Sequence, residues 1–284
     1  MARLFLLTAL TMLAFAANSL LNRAALTGAE SGPAAFAALR LVSGALCLAA
    51  LAAFKHGLPS LTGRRRAIGA GSLLLYILGF SFAYIALDAG VGALILFGTV
   101  QVTMFAGALL SNERIAAVRV VGAAVATLGL AWLVWPGSSV VPSIASAALM
   151  VAAGIGWGVY SLAGRGTSNA LGETAANFVV ASPLAVLVWI IIPDGLSSWG
   201  AILAITSGAI TSGLGYALWY SVLPKLEATV AGLAQLTVPV IAVIGGVLFL
   251  AEPLTLRLLL ASSVILGGVA LGILAQRKSG SNGS

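Results

Sequence analysis

Long apolar runs, separated by short clusters of charged residues, glycine or proline, recur ten times along this chain of 284 residues. They cover roughly residues 4–21, 33–54, 67–87, 91–110, 115–135, 140–163, 174–192, 199–222, 227–250 and 255–275. A helix needs about 20 predominantly apolar residues to cross the hydrocarbon of a bilayer, so each run predicts one membrane span. The polar breaks, such as 55–66 and 193–198, are too short to hold a folded soluble domain. The expected fold class is an all-α integral membrane protein with ten transmembrane helices. Residues 279–284, Ser-Gly-Ser-Asn-Gly-Ser, are expected to form a flexible tail by composition.

The runs repeat. At an offset of 139, Leu87 aligns with Leu226, Ala89 with Ala228, Val91 with Val230, Gly107 with Gly246, Glu113 with Glu252 and Gly129 with Gly268. The end of the first run, Phe15 to Arg23, aligns with Trp157 to Arg165 at an offset of 142, and Tyr84 aligns with Tyr220 at 136. Residues 1–136 and 137–278 are thus expected to form two repeats of five helices each. An odd number of spans per repeat turns the second copy upside down, and such inverted pairs mark secondary transporters.

Composition agrees about the solvent, since hydrophobic residues make up 61% of the chain and charged ones 7%, against roughly 25% charged in a soluble domain. The net charge of +7 is not spread evenly. With the N-terminus inside, the cytoplasmic side receives Arg3, Lys55, Arg64, Arg65, Arg66, Arg114, Arg119, Arg165, Lys225, Arg277 and Lys278. Only Arg23 and Arg257 fall outside, and Arg40 lies within a run. Eleven against two is a positive-inside bias. The basic residues therefore orient the chain, with both termini cytoplasmic, and no nucleic-acid partner is expected. Arg3 and Ala14-Phe15-Ala16 resemble a signal peptide, but the length of the first run and its match to Trp157–Arg165 make it a span. The single cysteine, Cys47, can form no internal disulfide.

The acidic residues Glu30, Asp88, Glu113, Glu173, Asp194, Glu227 and Glu252 all fall at run ends. No mid-membrane carboxylate is present for a proton relay. Glu113 and Glu252 are expected to be structural, capping the helix that follows each. The only histidine, His56, lies beside the basic 55–66 segment, so no catalytic residue, metal site or cofactor is expected. Arg40 lies about 10 Å into its span from Pro33. Two readings stand: it attracts the carboxylate of a substrate, or it snorkels outward or pairs with Glu30.

Polar and aromatic residues inside the runs mark a candidate cavity. Tyr76, Phe80 and Tyr84 recur every four residues and share one face of the third span. The expected substrate-binding set is Trp157, Tyr160, Tyr84, Tyr216, Gln101, Tyr220, Asn18, Gln235, Phe80 and Ser81, since polar groups in hydrocarbon need partners or a wet cavity. Trp135, Trp189 and Trp199 fit interfacial belts, as does Tyr76. Spans five and ten carry the small pairs Gly122/Ala126 and Gly268/Gly272, which let helices approach closely. These two read as scaffold or oligomer-contact helices.

Pro33, Phe36 and Arg40 at the start of span two, Tyr84-Ile-Ala-Leu87, Glu113-Arg-Ile and Glu252-Pro-Leu-Thr, with Pro239 in span nine, carry a resemblance. The chain resembles the drug/metabolite transporter superfamily in its ten-span form with paired EamA-type domains, most closely the bacterial aromatic amino-acid exporters of the YddG type. The first repeat departs from the pattern, with Val100 where the second has Pro239. The resemblance implies export of amino acids, aromatic or other neutral ones, across the bacterial inner membrane by alternating access. The expected partners are small-molecule amino acids and the bilayer, with monomer and homo-oligomer both open. The alternative is export of another small metabolite or drug on the same fold. A non-transporting receptor or an intramembrane enzyme ranks lower, since no buried histidine, paired carboxylates or cysteine–histidine set is present for acid–base work. Nor does a P-loop occur to bind ATP.

Overall fold

A computed structural model describes residues 2–28, 30–55, 57, 59–110, 117–135, 143–164, 167, 169–226, 231 and 234–281, with side chains except at 119, 134, 220 and 273–281. Among the described residues the chain is helical throughout, without strands. The helices are α1 (Ala2–Leu26), α2 (Pro33–Ala53), α3 (Arg64–Ala83), α4 (Ala89–Leu110), α5 (Ala117–Val134), α6 (Ile144–Ala163) and α7 (Ala170–Ile191), followed by α8 (Ser198–Lys225), α9 (Thr237–Leu250) and α10 (Leu256–Ser281). Seven of them, α1–α4 and α6–α8, are long and apolar enough to cross a membrane. Shorter apolar stretches, Val120–Leu133, Thr237–Leu250 and Leu256–Gly272, lie in α5, α9 and α10.

The polar breaks start the helices as their chemistry dictates. Pro33, which lacks a backbone N–H, opens α2. Ser143, Asn169 and Ser197 accept hydrogen bonds from the backbone N–H of Ser146, Gly172 and Gly200, capping α6, α7 and α8. α8 is not uniform: it widens to a π-helix over Thr206–Leu214 and tightens to a 3-10 turn at Leu223–Lys225.

Helices pack in matched pairs: α2 along α7, α5 along α10 and α4 along α9, while α3 lies against α6 and α1 against α8. Phe36 and Phe178 are fully buried where α2 meets α7. α5 and α10 touch backbone to backbone. A Cβ on Gly122 would stand 2.5 Å from the Gly268 carbonyl oxygen, and one on Gly268 would stand 2.7 Å from that of Gly122. Leu110, Leu128, Leu248 and Phe249 point outward, giving an apolar surface suited to lipid.

Two ends can be told apart along α3. At the end where α3 finishes, Arg23 donates to the carbonyls of Tyr84 and Ile85 (3.1 and 3.0 Å) and to Asp88 (3.3 Å), and it lies 3.6 Å from Glu252. Glu252 accepts from the backbone N–H of Ala89 at 2.7 Å. It therefore caps α4 and not the helix after it, because Thr255 already caps α10 by accepting from Leu258 N–H. Glu113, given the same expected role, lies outside the described residues. At this same end Asp194 accepts from the N–H groups of Ala34 and Ala35 at 2.8 Å, and Gly32 N–H donates to the Gly195 carbonyl at 2.7 Å. At the other end Arg66 donates to the Glu173 carboxylate (2.8 Å) and to Asn177 (2.5 Å).

Candidate functional site

Midway between these ends, α1, α3, α6 and α8 bring aromatic rings together. The Trp157 ring stands 5.0 Å from Tyr76 and 5.2 Å from Tyr216, and stacks on Tyr160 at 5.5 Å with the planes 23° apart. Phe15 meets Tyr216 edge-on at 5.7 Å, and Phe80 lies 5.4 Å from Tyr76. With Asn18, Ser19, Leu96 and Phe97, the rings of Phe15, Tyr76, Phe80, Trp157 and Tyr216 line a narrow cavity with room for water-sized bodies.

The polar lining is organised by the π-helical stretch of α8. Asn18 Oδ1 accepts from the hydroxyls of Ser207 (2.8 Å), Thr211 (2.6 Å) and Ser212 (3.4 Å). The wide turn sets positions 207, 211 and 212 on one side, so three hydroxyls converge on one amide oxygen; π-helical stretches of this kind are frequent at functional sites. Gly208 makes the approach possible, since a Cβ there would collide with the Arg40 carbonyl and the Ser43 side chain.

That close approach places Arg40 against α8. The side chain is 0% exposed. Its Nε and Nη2 donate to Ser212 Oγ at 3.4 and 3.2 Å, and Nη2 also donates to the Tyr76 hydroxyl at 3.2 Å. The guanidinium lies over the rings of Phe80 and Tyr76, 5.1 and 5.5 Å from their centroids. It neither snorkels outward nor pairs with Glu30, because the crossing of α2 and α8 encloses it.

Of the residues singled out from sequence, Trp157, Tyr216, Phe80 and Asn18 meet at the cavity. Tyr160 lies behind Trp157, donates to Thr174 Oγ1 at 3.2 Å, and lines a second space with Arg65, Glu173 and Asn177. Tyr84 is buried near the Arg23 end, with its ring against Phe80 and its hydroxyl donating to the Ala89 carbonyl at 3.2 Å. Ser81 donates to Asn22 Oδ1 at 3.0 Å, tying α3 to α1. Gln101 and Gln235 are half-buried and stand apart from the cavity lining. The Tyr220 side chain lies outside those described. Tyr76, compatible by sequence with an interfacial belt, is instead buried in the cavity wall, because α6 covers that face of α3. Trp135 and Trp199 are exposed, as belt residues are. Sequence reasoning missed Phe15, Ser19, Leu96, Phe97 and the hydroxyls of the π-helical stretch. The spacing of Phe15, Asn18 and Ser19 on one helical face was the available signal.

Residues 144–274 match the EamA-like transporter family. Over 277 residues the chain is 47% identical to an uncharacterized protein of Pseudomonas aeruginosa, covering 97% of this chain and 96% of that one. The second half of the chain carries an EamA-like transporter domain. The protein is thus a multi-pass membrane protein that transports small solutes. An uncharacterized transporter of Archaeoglobus fulgidus is 26% identical over 211 residues, which is 72% of this chain and 74% of that protein. A solved crystal structure at 20% identity superposes with a TM-score of 0.68, covering 97% of this chain and 99% of that one. That likeness concerns the fold.

Proposed function

We propose that this EamA-domain protein is a secondary exporter of amino acids, aromatic or other neutral ones, in the bacterial inner membrane. It works by alternating access between two inverted repeats of five spans, residues 1–136 and 137–278, with both termini cytoplasmic. The observation that carries the solute assignment is the cavity of Phe15, Tyr76, Phe80, Trp157 and Tyr216, closed on its polar side by Asn18. Aromatic walls with a few convergent polar groups suit an apolar side chain joined to a polar head.

Support for the repeat comes from packing. Exchanging the halves turns the α3–α6 contact into α8–α1 and leaves the α2–α7, α4–α9 and α5–α10 pairs in place. Support for the orientation comes from the basic residues, which assign the Arg66 end to the cytoplasm. The space between the rings is small, so the helices around it must part before a solute enters from either side.

The test is flux in proteoliposomes loaded with a panel of amino acids, sugars and cationic dyes, with no imposed pH gradient. Phenylalanine and tryptophan should move down their gradients and compete with each other. Flux of sugars or dyes without amino-acid flux would sink the substrate assignment. Amino-acid flux that starts only when a proton or sodium gradient is applied would replace the facilitator with a coupled exporter.

A further inference from the structure

Among the described residues Arg40 carries a charge with no counter-charge. Its described partners are two hydroxyls, Ser212 and Tyr76, and two ring faces. Nη1 is buried and has no hydrogen-bond partner among the described residues. The described carboxylates are engaged or placed elsewhere: Asp88 and Glu252 face Arg23, Glu173 faces Arg66, and Asp194 holds the amides that open α2. Glu30 lies in the loop before α2, and in the sequence Glu113 falls between the runs 91–110 and 115–135 and Glu227 at the start of the run 227–250. A charge taken out of water without a counter-ion is strongly disfavoured, so this guanidinium is built into the helix crossing at a cost that packing alone does not require.

Its position relates that charge to the cavity. Tyr76 and Phe80, the two rings that lie under the guanidinium, are also cavity walls, and Ser212 links Arg40 to the cavity residue Asn18. The charge therefore stands one side chain behind the lining, where the field of a cation is weakly screened.

We propose that Arg40 is the anion-recognition group of this cavity, and that the transported solutes bear a carboxylate or a similar oxyanion. When the helices part, Nη1 donates to an oxygen of that anion, Asn18 and Ser212 supply neutral hydrogen bonds beside it, and the rings hold the apolar remainder of the solute. Solutes whose only charge is positive are disfavoured by repulsion. This rests on the cavity being the solute site and specifies the class of solute it takes.

Equilibrium binding to the purified protein in nanodiscs tests it with two matched pairs: phenylalanine with phenylalaninamide, and 3-phenylpropionate with 3-phenylpropionamide. Each carboxylate should bind at least about tenfold more tightly than its amide, a difference expected for one charge-assisted contact. Arg40→Gln should bring both ratios to within about twofold, while thermal unfolding and monodispersity report whether the variant is folded. If Arg40→Gln does not fold, Arg40→Lys must lower the ratios, because it keeps the charge and loses the fork that carries Nη1. Equal binding of acid and amide by the unaltered protein, no binding of either acid, or ratios unchanged in a folded Arg40 variant would each overturn the proposal and leave Arg40 a strut. Tight binding of 3-phenylpropionate with none of phenylalanine would keep the anion site and remove the amino-acid assignment. Equal flux of phenylalanine and its amide would do the reverse.

Discussion

Trp157 packs against Phe15, Tyr76, Tyr160 and Tyr216, so it forms a principal wall of the central cavity. Trp157→Ala should lower amino-acid flux by about tenfold at equal insertion, the scale of losing one principal contact. Trp132→Ala, on α5 and 43% exposed, should leave flux within about twofold in the same liposome assay. Equal losses would reduce the aromatic cluster to packing. Glu252 makes a different prediction. Burial pushes its carboxyl up from the usual glutamate range, and the nearby Asp88 adds to this against the pull of the Ala89 N–H and Arg23. A raised folded-state value means that stability is fully present below about pH 4.3, the unfolded value, and is lost as pH rises through the folded value. The melting temperature of the unaltered protein minus that of Glu252→Gln should therefore be larger at pH 4 than at pH 7; the opposite trend would show that the ionised form is favoured. At this scale the sequence was informative where polar aromatics and amides stand out in apolar runs, as Trp157, Tyr216 and Asn18 do. It was uninformative for Tyr76 and for the partners of Arg40, because depth and crossing points depend on which helix covers which face.

Among the elements, α5 and α10 offer the cleanest test of close packing. Gly268 stands with its missing side chain against α5, and its neighbour Gly267 has open space. Gly268→Leu should destabilise the protein by about 1–3 kcal/mol through overpacking, seen as a lower melting temperature in detergent, and Gly267→Leu should not. Similar melting temperatures would mean that the two helices can separate at no cost. The small-residue spacing marked both helices for close approach, because that leaves a direct mark on residue size, but it did not say that they approach each other. The start of α2 was legible at Pro33, whereas the cap Ser143 falls inside the run read from residue 140 and α6 begins only after it. The π-helical stretch of α8 was not legible. A change from i→i+4 to i→i+5 bonding carries no periodicity of its own in an apolar run, and it arises here with the hydroxyls that bond to Asn18 on α1.

For the whole molecule, the basic residues predict which end meets the cytoplasm. In a Cys47→Ser background, a cysteine replacing the exposed Pro193 should react with an impermeant maleimide added outside intact cells, and one replacing Arg65 should not. The reverse pattern would overturn the orientation. The run pattern conveyed the helical architecture of the molecule, but not how its two halves are fastened, since the ion pairs join residues far apart in sequence. That fastening is unequal. At the Arg23 end the halves are joined by three separate clusters: around Glu252, around Asp194, and where Arg257 donates to the carbonyls of Trp132 and Trp135. At the other end, among the described residues, the polar links between halves all run through Arg65 and Arg66. Thermal opening of such a body is lopsided: its fluctuations concentrate where two adjacent arginines hold the seam, and the end held by three clusters acts as the hinge. Arg66→Ala should accordingly speed amide hydrogen exchange at the starts of α3 and α7 while the start of α4 keeps its protection. Equal acceleration at both ends would mean that the seam yields as a unit.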